Sequence, residues 1–164
     1  KGRYLQTDVA RWAAHYGIKS TLRAKIRPHT AGSDLLALTI TDGAGNKAAD
    51  VVFATIKDRK SRSILSIRDQ NTHTEDFRQK RLMTLIHVYL IHRYKAESIH
   101  YVSPTDDNEK QCKGMLALGI YDEVNMEVGD IIVAHVNAKT VEELATPDNP
   151  KLENLITKQP LNGK

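Results

Sequence analysis

The segment SILSIRDQNTHTEDFRQKRLMTLIHVYLIHRY, residues 63–94, decides the fold. Its first part, residues 63–68, predicts a buried strand because apolar and β-branched residues dominate it. The polar stretch 69–76 is expected to end that strand. Over residues 77–94 the apolar residues are too dense for a helix that buries only one face, which predicts a central helix. A strand that leads into a central helix therefore organises the domain.

Shorter patterns of the same two kinds precede this segment. Apolar spacing with a capping residue and a final glycine predicts a helix at 7–16. Alternating and β-branched residues predict strands at 21–26, 35–41 and 51–56, the last two joined by a hairpin turn at 42–46. A basic turn at 59–62 leads into the strand that opens the segment.

The chain after the segment repeats the strand-to-helix order. A strand is predicted at 98–102, followed by a helix that Asp106, Asp107 or Asn108 caps and Gly119 ends. Alternation at 124–128, a turn at Gly129 and an apolar run at 131–136 predict a second hairpin. Two short helices are predicted beyond it, one from a capping box of Thr140 and Glu143 and one from Asn149 before Pro150.

These elements define a fold class. Strand-to-helix-to-strand connections imply a parallel pair, because the chain must cross over the sheet between the two strands. The order therefore predicts an α+β fold with a mixed β-sheet of about 6–7 strands and helices on both faces. No linker or internal repeat interrupts it, so residues 1–164 are expected to form one domain, with an N-terminal helix in residues 1–20 and short terminal helices in residues 138–164.

Composition excludes several classes of protein. No apolar run approaches the roughly 18 residues that a membrane-spanning helix needs, so no membrane association is expected. The net charge of +4 is small and dispersed, and aromatic residues make up only 5% of the chain, so no nucleic-acid partner is expected. A single cysteine, Cys112, indicates a reducing, cytoplasmic location. Because the chain opens on Lys1 rather than on methionine, we expect it to be a fragment of a longer protein.

The start of the central helix is a candidate anion site. A helix N-terminus exposes unpaired N–H groups and a partial positive charge, and Arg78, Lys80 and Arg81 add cations there. A phosphate group would suit this arrangement. The alternative is that these side chains are solvated and neutralised by Glu75 and Asp76.

Other reactive residue types have simpler interpretations. Cys112 lies beside lysines that could lower its pKa, but its helical spacing favours packing. The acidic stretch 106–108 could bind a cation, although such residues commonly cap helices. The histidines form no metal motif. We therefore assign neither a catalytic residue nor a metal ligand.

The order of elements over residues 64–136 resembles the acyl-CoA-binding half of the Gcn5-related N-acetyltransferase (GNAT) fold. In that family an Arg-x-x-Gly-x-Gly/Ala segment cradles the pyrophosphate, and RQKRLM, residues 78–83, occupies the place here. The glycines are absent, because Arg81 and Met83 stand where small residues let backbone N–H groups approach. The stretch ALGIYDEV, residues 117–124, also resembles the closing Tyr-x-x-x-Gly-Phe turn of the family.

A narrower resemblance covers most of the chain. The runs SIRDQNTHTEDFR (66–78), HYVSPTDDN (100–108) and VGDIIVA (128–134) resemble the extra C-terminal domain of long-form isocitrate lyases. This resemblance implies a GNAT-like domain that binds acetyl-CoA or propionyl-CoA and regulates a separate lyase domain in a homo-oligomer. The parent protein would be a carbon–carbon lyase of the glyoxylate and methylcitrate pathways. The Lys-Lys-Cys-Gly-His catalytic loop of short isocitrate lyases does not occur here.

The resemblance also implies which residues contact the ligand. The adenosine phosphates would lie near the cations at 78–81, and the pantetheine would run beside the strand at 65–68. The implied contacts are Leu65, Ser66, Ile67, Arg68, Arg78, Gln79, Lys80, Arg81, Leu82 and Asn108. Two alternatives stay open at this stage. One is a catalytic N-acetyltransferase in which Glu75 or Tyr121 assists the transfer, and the other is an oligomerisation module with a vestigial site.

Overall fold

A computed structural model describes residues 23–73 and 82–145. Seven strands form one sheet in the order β1-β2-β3-β4-β5-β7-β6. The strands are β1 (Arg23–Pro28), β2 (Leu36–Thr41), β3 (Lys47–Lys57), β4 (Ser63–Thr72), β5 (Ser98–Val102), β6 (Tyr121–Val128) and β7 (Ile131–Val136). The described helices are α1 (Leu82–Tyr94), α2 (Asp106–Ala117) and α3 (Ala138–Leu144).

The sheet is mixed, as predicted. β4 and β5 are parallel, with pairs running from Ile64 and Ser98 to Ile67 and Tyr101. The other neighbouring strands pair antiparallel. α1 lies in the connection between the two parallel strands, which is the crossover that a parallel pair requires.

The described helices cover one face of the sheet. Both crossovers, from β4 to β5 and from β5 to β6, run toward the same sheet edge, and right-handed crossovers in one direction place their helices on one face. Tyr101 of β5 contacts both, because it stacks on His87 of α1 and hydrogen-bonds Cys112 of α2. α3 joins them through a hydrogen bond between His92 and Glu142. The helix predicted for the other face, at 7–16, lies outside the described residues.

α1 is the central helix that the apolar density predicts. Eight consecutive residues of it, from Thr84 to Ile91, are buried. On the sheet side, the ring of Phe53 in β3 packs against the ring of Tyr94 with centroids 5.6 Å apart. The helix and the helix-covered face of the sheet therefore share one apolar core.

β4 is longer than the sequence predicts. The polar stretch was expected to end the strand at Arg68, yet β4 continues to Thr72, which pairs with Ala49 of β3. A polar residue is tolerated in a strand when a neighbouring strand accepts its backbone hydrogen bonds. β3 begins at Lys47, earlier than predicted, and so supplies that partner.

Two helix caps also differ from the predictions. The N-cap of α2 is Thr105, and Asn108 is its partner in a capping box rather than the cap. The N-cap of α3 is Asn137, whose side chain accepts the N–H of Thr140, so Thr140 lies inside the helix and the predicted box with Glu143 is wrong. The asparagine directly follows β7 and takes the cap position first. The cap predicted at Asn149 lies outside the described residues.

The described helices also bear on the membrane prediction. None of them combines the length and apolarity needed to cross a membrane.

Candidate functional site

A β-bulge in β4 lies where β4 and β5 stop pairing. Ile67 is opposite Phe53 of β3 and Asp69 is opposite Val52, so Arg68 has no residue opposite it. A bulge bends its strand and increases the local twist. The parallel pairing with β5 ends at the same point, with Ile67 opposite Tyr101. β4 therefore separates from β5 beyond Ile67 while it stays paired with β3.

A cleft opens between the separated strands. Its volume is about 240 Å³, and it lies at the carboxyl ends of β4 and β5 beside the first turn of α2. The lining residues come from these three elements and the β5–α2 connection: Ile67, Arg68, Asp69, Gln70, Asn71, Val102, Ser103, Thr105, Asp107 and Asn108. Ligands of sheets with parallel strands commonly bind outside the carboxyl ends of those strands.

Side chains of β4 around the bulge lie on both faces of the sheet. On the face without described helices, Arg68 Nε donates to Ser66 Oγ at 3.0 Å, and Asn71 contacts the carboxylates of Asp69 and Asp50. His73 Nε2 lies 2.7 Å from the Asp50 carboxylate. Burial opposes ionisation of Asp50, but the hydrogen bonds from His73 and Asn71 outweigh it and lower the pKa of that carboxyl. The face of the sheet without described helices is therefore polar and hydrogen-bonded beside the cleft.

On the helix-covered face, a side-chain hydrogen bond joins β4 to α2. Gln70 Nε2 of β4 donates to Gln111 Oε1 of α2 at 2.8 Å. The other amide atom of the first residue, Gln70 Oε1, is buried and has no hydrogen-bond partner among the described residues. A buried polar atom without a partner is uncommon in a folded protein.

The first turn of α2 forms the far wall of the cleft. Thr105 Oγ1 accepts the N–H of Asn108, and Asn108 Oδ1 accepts the N–H of Thr105 at 2.9 Å. Just before this cap, Ser103 adopts a positive φ of 51° and its N–H donates to the Asp130 carbonyl. The connection from β5 to α2 is thus held in place on both sides of Pro104.

The residues implied by the resemblance fall into three groups. Ile67, Arg68 and Asn108 line the cleft. Leu65 and Ser66 are buried in the paired part of β4, and Leu82 is fully buried in the core at the start of α1. The cations and Gln79, residues 78–81, lie outside the described residues. Contact of these ten residues with a ligand stays a prediction.

Sequence reasoning missed the side chains that follow the bulge. Asp69, Gln70 and Asn71 were assigned to the end of the strand, whereas they form one wall of the cleft. The signal available was the unbroken polar run directly after an apolar strand. It was insufficient because a bulge depends on the register with a partner strand.

A buried polar cluster lies in the core, apart from the residues that line the cleft. The hydroxyls of Tyr101 and Tyr121 hydrogen-bond each other, and His87 stacks on the Tyr101 ring. Burial raises the pKa of Tyr121 and raises that of Cys112 to about 12, so both keep their protons at neutral pH. Tyr121 is 1% exposed and is not part of the cleft lining. The cluster is a packing feature, and a protonated thiol is a poor nucleophile.

The described residues also bear on metal binding. No group of three histidine, cysteine, aspartate or glutamate side chains within them is arranged to hold a metal ion.

Comparison with known proteins relates the chain to one group of enzymes. No family model matches it. It is 51% identical over 157 residues to isocitrate lyase 2 of Mycobacterium tuberculosis and of Mycobacterium bovis. The alignment covers 96% of this chain. The chain is homologous to one segment of isocitrate lyase 2. It spans 20% of the length of that relative, and 39% of a shorter isocitrate lyase relative of Mycobacterium tuberculosis to which it is also 51% identical.

A solved structure supports the fold of this isocitrate lyase 2 homologue. AtaTR, in a crystal structure bound with acetyl-CoA, aligns with a TM-score of 0.52 and 11% identity, covering 76% of this chain and 98% of that one. A GNAT-family acetyltransferase of Staphylococcus aureus aligns at 0.45 over 83% of this chain and 95% of that one, with 7% identity. The predicted α+β, GNAT-like fold is confirmed. At these identities the likeness extends to the fold alone.

Proposed function

We propose that this homologue of an isocitrate lyase 2 segment is a regulatory domain that binds acetyl-CoA or propionyl-CoA in the cleft between β4 and β5 and controls a lyase domain elsewhere in the same protein. The observation that carries the proposal is the bulge at Arg68, which coincides with the end of the β4–β5 pairing at Ile67. That coincidence opens a cleft at the carboxyl ends of two parallel strands, and a cleft in this place supports the proposal of an extended ligand.

The cleft has the chemistry that an extended ligand with amide groups requires. Beyond Ile67, the edge of β4 that faces β5 has no β5 partner for Arg68 to Asn71. The pantetheine arm of acyl-CoA carries two amides, which can pair with such an edge as an added strand does. The phosphates would then lie toward Arg78, Lys80 and Arg81, before the described start of α1. AtaTR, which shares the fold, is bound with acetyl-CoA, and this supports the choice of ligand.

Regulation follows if the ligand prefers one arrangement of the protein. A ligand shifts an equilibrium only by its differential affinity for the two states. An acyl-CoA that binds more tightly to the arrangement with active lyase would raise the active population. The proposal needs no catalytic residue in this segment. A buried, protonated Tyr121 that does not line the cleft is in keeping with that.

The proposal also places the protein in the cytoplasm as a homo-oligomer. Cys112 is fully buried as a free thiol, which suits a reducing compartment. The oligomeric partner is a second copy of the same protein, as the resemblance to long-form isocitrate lyases implies.

Binding of acetyl-CoA to the 164-residue chain should stabilise it. At a concentration of about 100 times the dissociation constant, a ligand that binds only the folded state adds about 2.7 kcal/mol to the free energy of unfolding. The midpoint of thermal unfolding should rise by several degrees, roughly 2–4 °C per kcal/mol. Free acetate should produce no rise. A thermal melt with millimolar acetyl-CoA that shows no shift would contradict the proposal.

Charge-reversal variants locate the phosphates in the same assay. Arg78→Glu combined with Arg81→Glu should weaken acetyl-CoA binding by at least about tenfold, because two cations near a helix start become anions. Arg59→Glu combined with Lys60→Glu is the matched control, since it makes the same change of charge in the exposed β3–β4 turn. Equal losses in both variants would indicate a general effect of net charge rather than a phosphate site.

Acetyl-CoA should also change the lyase rate of the longer protein. Coupling between two sites is typically worth about 5- to 150-fold, so a severalfold change in the initial rate of isocitrate cleavage is expected. The Arg78→Glu and Arg81→Glu variant of the longer protein should keep its basal rate and lose the response. If acetyl-CoA occupies the site and the lyase rate does not change, the segment binds the ligand without regulating the lyase. That result would contradict the regulatory part of the proposal.

A further inference from the structure

The bulge at Arg68 decides which way Gln70 points. Strict alternation from Ile67 would turn Asp69 toward the helices and Gln70 away from them. Because the bulge adds one residue, Gln70 is instead opposite Val51, which is fully buried on the helix-covered face. Its side chain therefore reaches α2 and meets Gln111.

In this position only one of the two polar atoms of the Gln70 amide has a hydrogen-bond partner among the described residues. A glutamine amide has a carbonyl oxygen with two lone pairs and an NH₂ group with two donors. Nε2 donates to Gln111 Oε1 at 2.8 Å, while the buried Oε1 has no partner among the described residues. Burying an acceptor without a donor costs the desolvation of that group. Gln70 is also one of the residues that line the cleft, so its unsatisfied oxygen belongs to a side chain at the edge of the candidate site.

We propose, on the basis of the proposed function, that Gln70 is the side chain that recognises the pantetheine arm of the ligand through one of its amides. Oε1 accepts the N–H of a pantetheine amide, and the bond from Nε2 to Gln111 holds the side chain in position. The ligand N–H supplies the donor that the cleft lacks, and an analogue without that N–H leaves the oxygen unsatisfied. Gln70 is thus a specificity-determining residue, and Gln111 is a positioning residue.

A purely structural role makes a different prediction. If the bridge only joined β4 to α2, loss of either glutamine would matter equally. If the free oxygen of Gln70 contacts the ligand, removing Gln70 is more harmful than removing Gln111. The two side chains therefore form a matched pair for mutation.

The test is a calorimetric titration of the full 164-residue chain and its variants with acetyl-CoA. Gln70→Met, which keeps the side-chain length and removes the amide, should weaken binding by about tenfold. Gln70→Ala should weaken it to a similar extent. Gln111→Met should change affinity by no more than about threefold. Adenosine 3′,5′-bisphosphate, which lacks the pantetheine arm, should bind to the wild type and to Gln70→Met within about twofold of each other.

The variant Gln111→Glu tests the orientation of the Gln70 side-chain amide. A carboxylate only accepts hydrogen bonds, so it forces Nε2 of Gln70 toward α2 and Oε1 toward the cleft. This variant should bind acetyl-CoA within about threefold of the wild type.

Three results would overturn the assignment of Gln70. They are wild-type affinity in Gln70→Met, an equal loss in Gln111→Met, and a tenfold loss in Gln111→Glu. Failure of the wild-type chain to bind acetyl-CoA would be a different result, because it would remove the proposed function itself and the assignment with it.

Discussion

Acidification from about pH 7 to about pH 4 is expected to lower the free energy of unfolding by about 3 kcal/mol through His87 alone. This imidazole is 1% exposed on α1 and stacks on the ring of Tyr101. Its Nδ1 donates to the carbonyl of Met83 at 3.0 Å, and its Nε2 is buried without a partner among the described residues. Burial lowers the pKa to about 4, and the bond to Met83 opposes that shift only in part.

The direction of this pH dependence follows from proton binding. The unfolded chain protonates the histidine near pH 6.5, whereas the folded chain resists protonation until about pH 4. Between these values the unfolded state binds more protons, so stability falls as the pH falls. Above about pH 6.5 the full contribution is present, and below about pH 4 His87 causes no further loss.

Urea denaturation at several pH values between 7 and 4 measures the effect. His87→Phe keeps a ring against Tyr101 and should lose this part of the slope, while carboxylates such as Asp50 titrate in both proteins. His29→Phe, which makes the same substitution at an exposed histidine, is the matched control. A slope in His87→Phe equal to that of the wild type would show that His87 is not the titrating group.

Phe53→Ala is expected to cost about 3–5 kcal/mol of stability at neutral pH. Phe53 is fully buried in β3, and its ring packs against Tyr94 of α1 with centroids 5.6 Å apart. Removing it deletes most of a large apolar side chain and leaves a cavity between the sheet and the central helix. The surrounding backbone can close that cavity only in part, because β3 is held between β2 and β4.

The matched control lies three residues away on the same strand. Ile56 is 42% exposed, so Ile56→Ala removes less buried surface and should cost no more than about 1 kcal/mol. Denaturant unfolding of both variants gives the comparison. Similar losses at the two positions would mean that the contact between Phe53 and α1 contributes no more than an exposed side chain does.

Much of the fold could be predicted from local sequence. The apolar density of α1 predicts a helix buried on most sides, and Thr84 to Ile91 are buried without interruption. The turn residues at 42–46 and Gly129 predict both hairpins, and the strand-to-helix-to-strand order predicts the parallel pair of β4 and β5. These features depend on residues that are close together in the chain, and the spacing of their apolar members indicates whether each element is a helix or a strand.

The candidate site could be predicted only in outline. A polar run between a strand and a helix indicates the right region, and three implied residues, Ile67, Arg68 and Asn108, line the cleft. The length of β4, the bulge at Arg68 and the inward direction of Gln70 were not predictable from that run. Each depends on β3, whose residues are distant in sequence and offer the backbone partners that extend β4 to Thr72.

The sequence by itself thus determined the elements of this isocitrate lyase 2 homologue, their order and the buried helix, because hydrophobic periodicity is a local property. Only the tertiary structure decided where β4 separates from β5 and which side chains face the space between them. A strand places alternate side chains on opposite faces of the sheet. Because Arg68 has no residue opposite it on β3, every side chain of β4 after it points to the other face from the one that strict alternation would give. That reversal turns Gln70 toward α2 and Asp69 away from it.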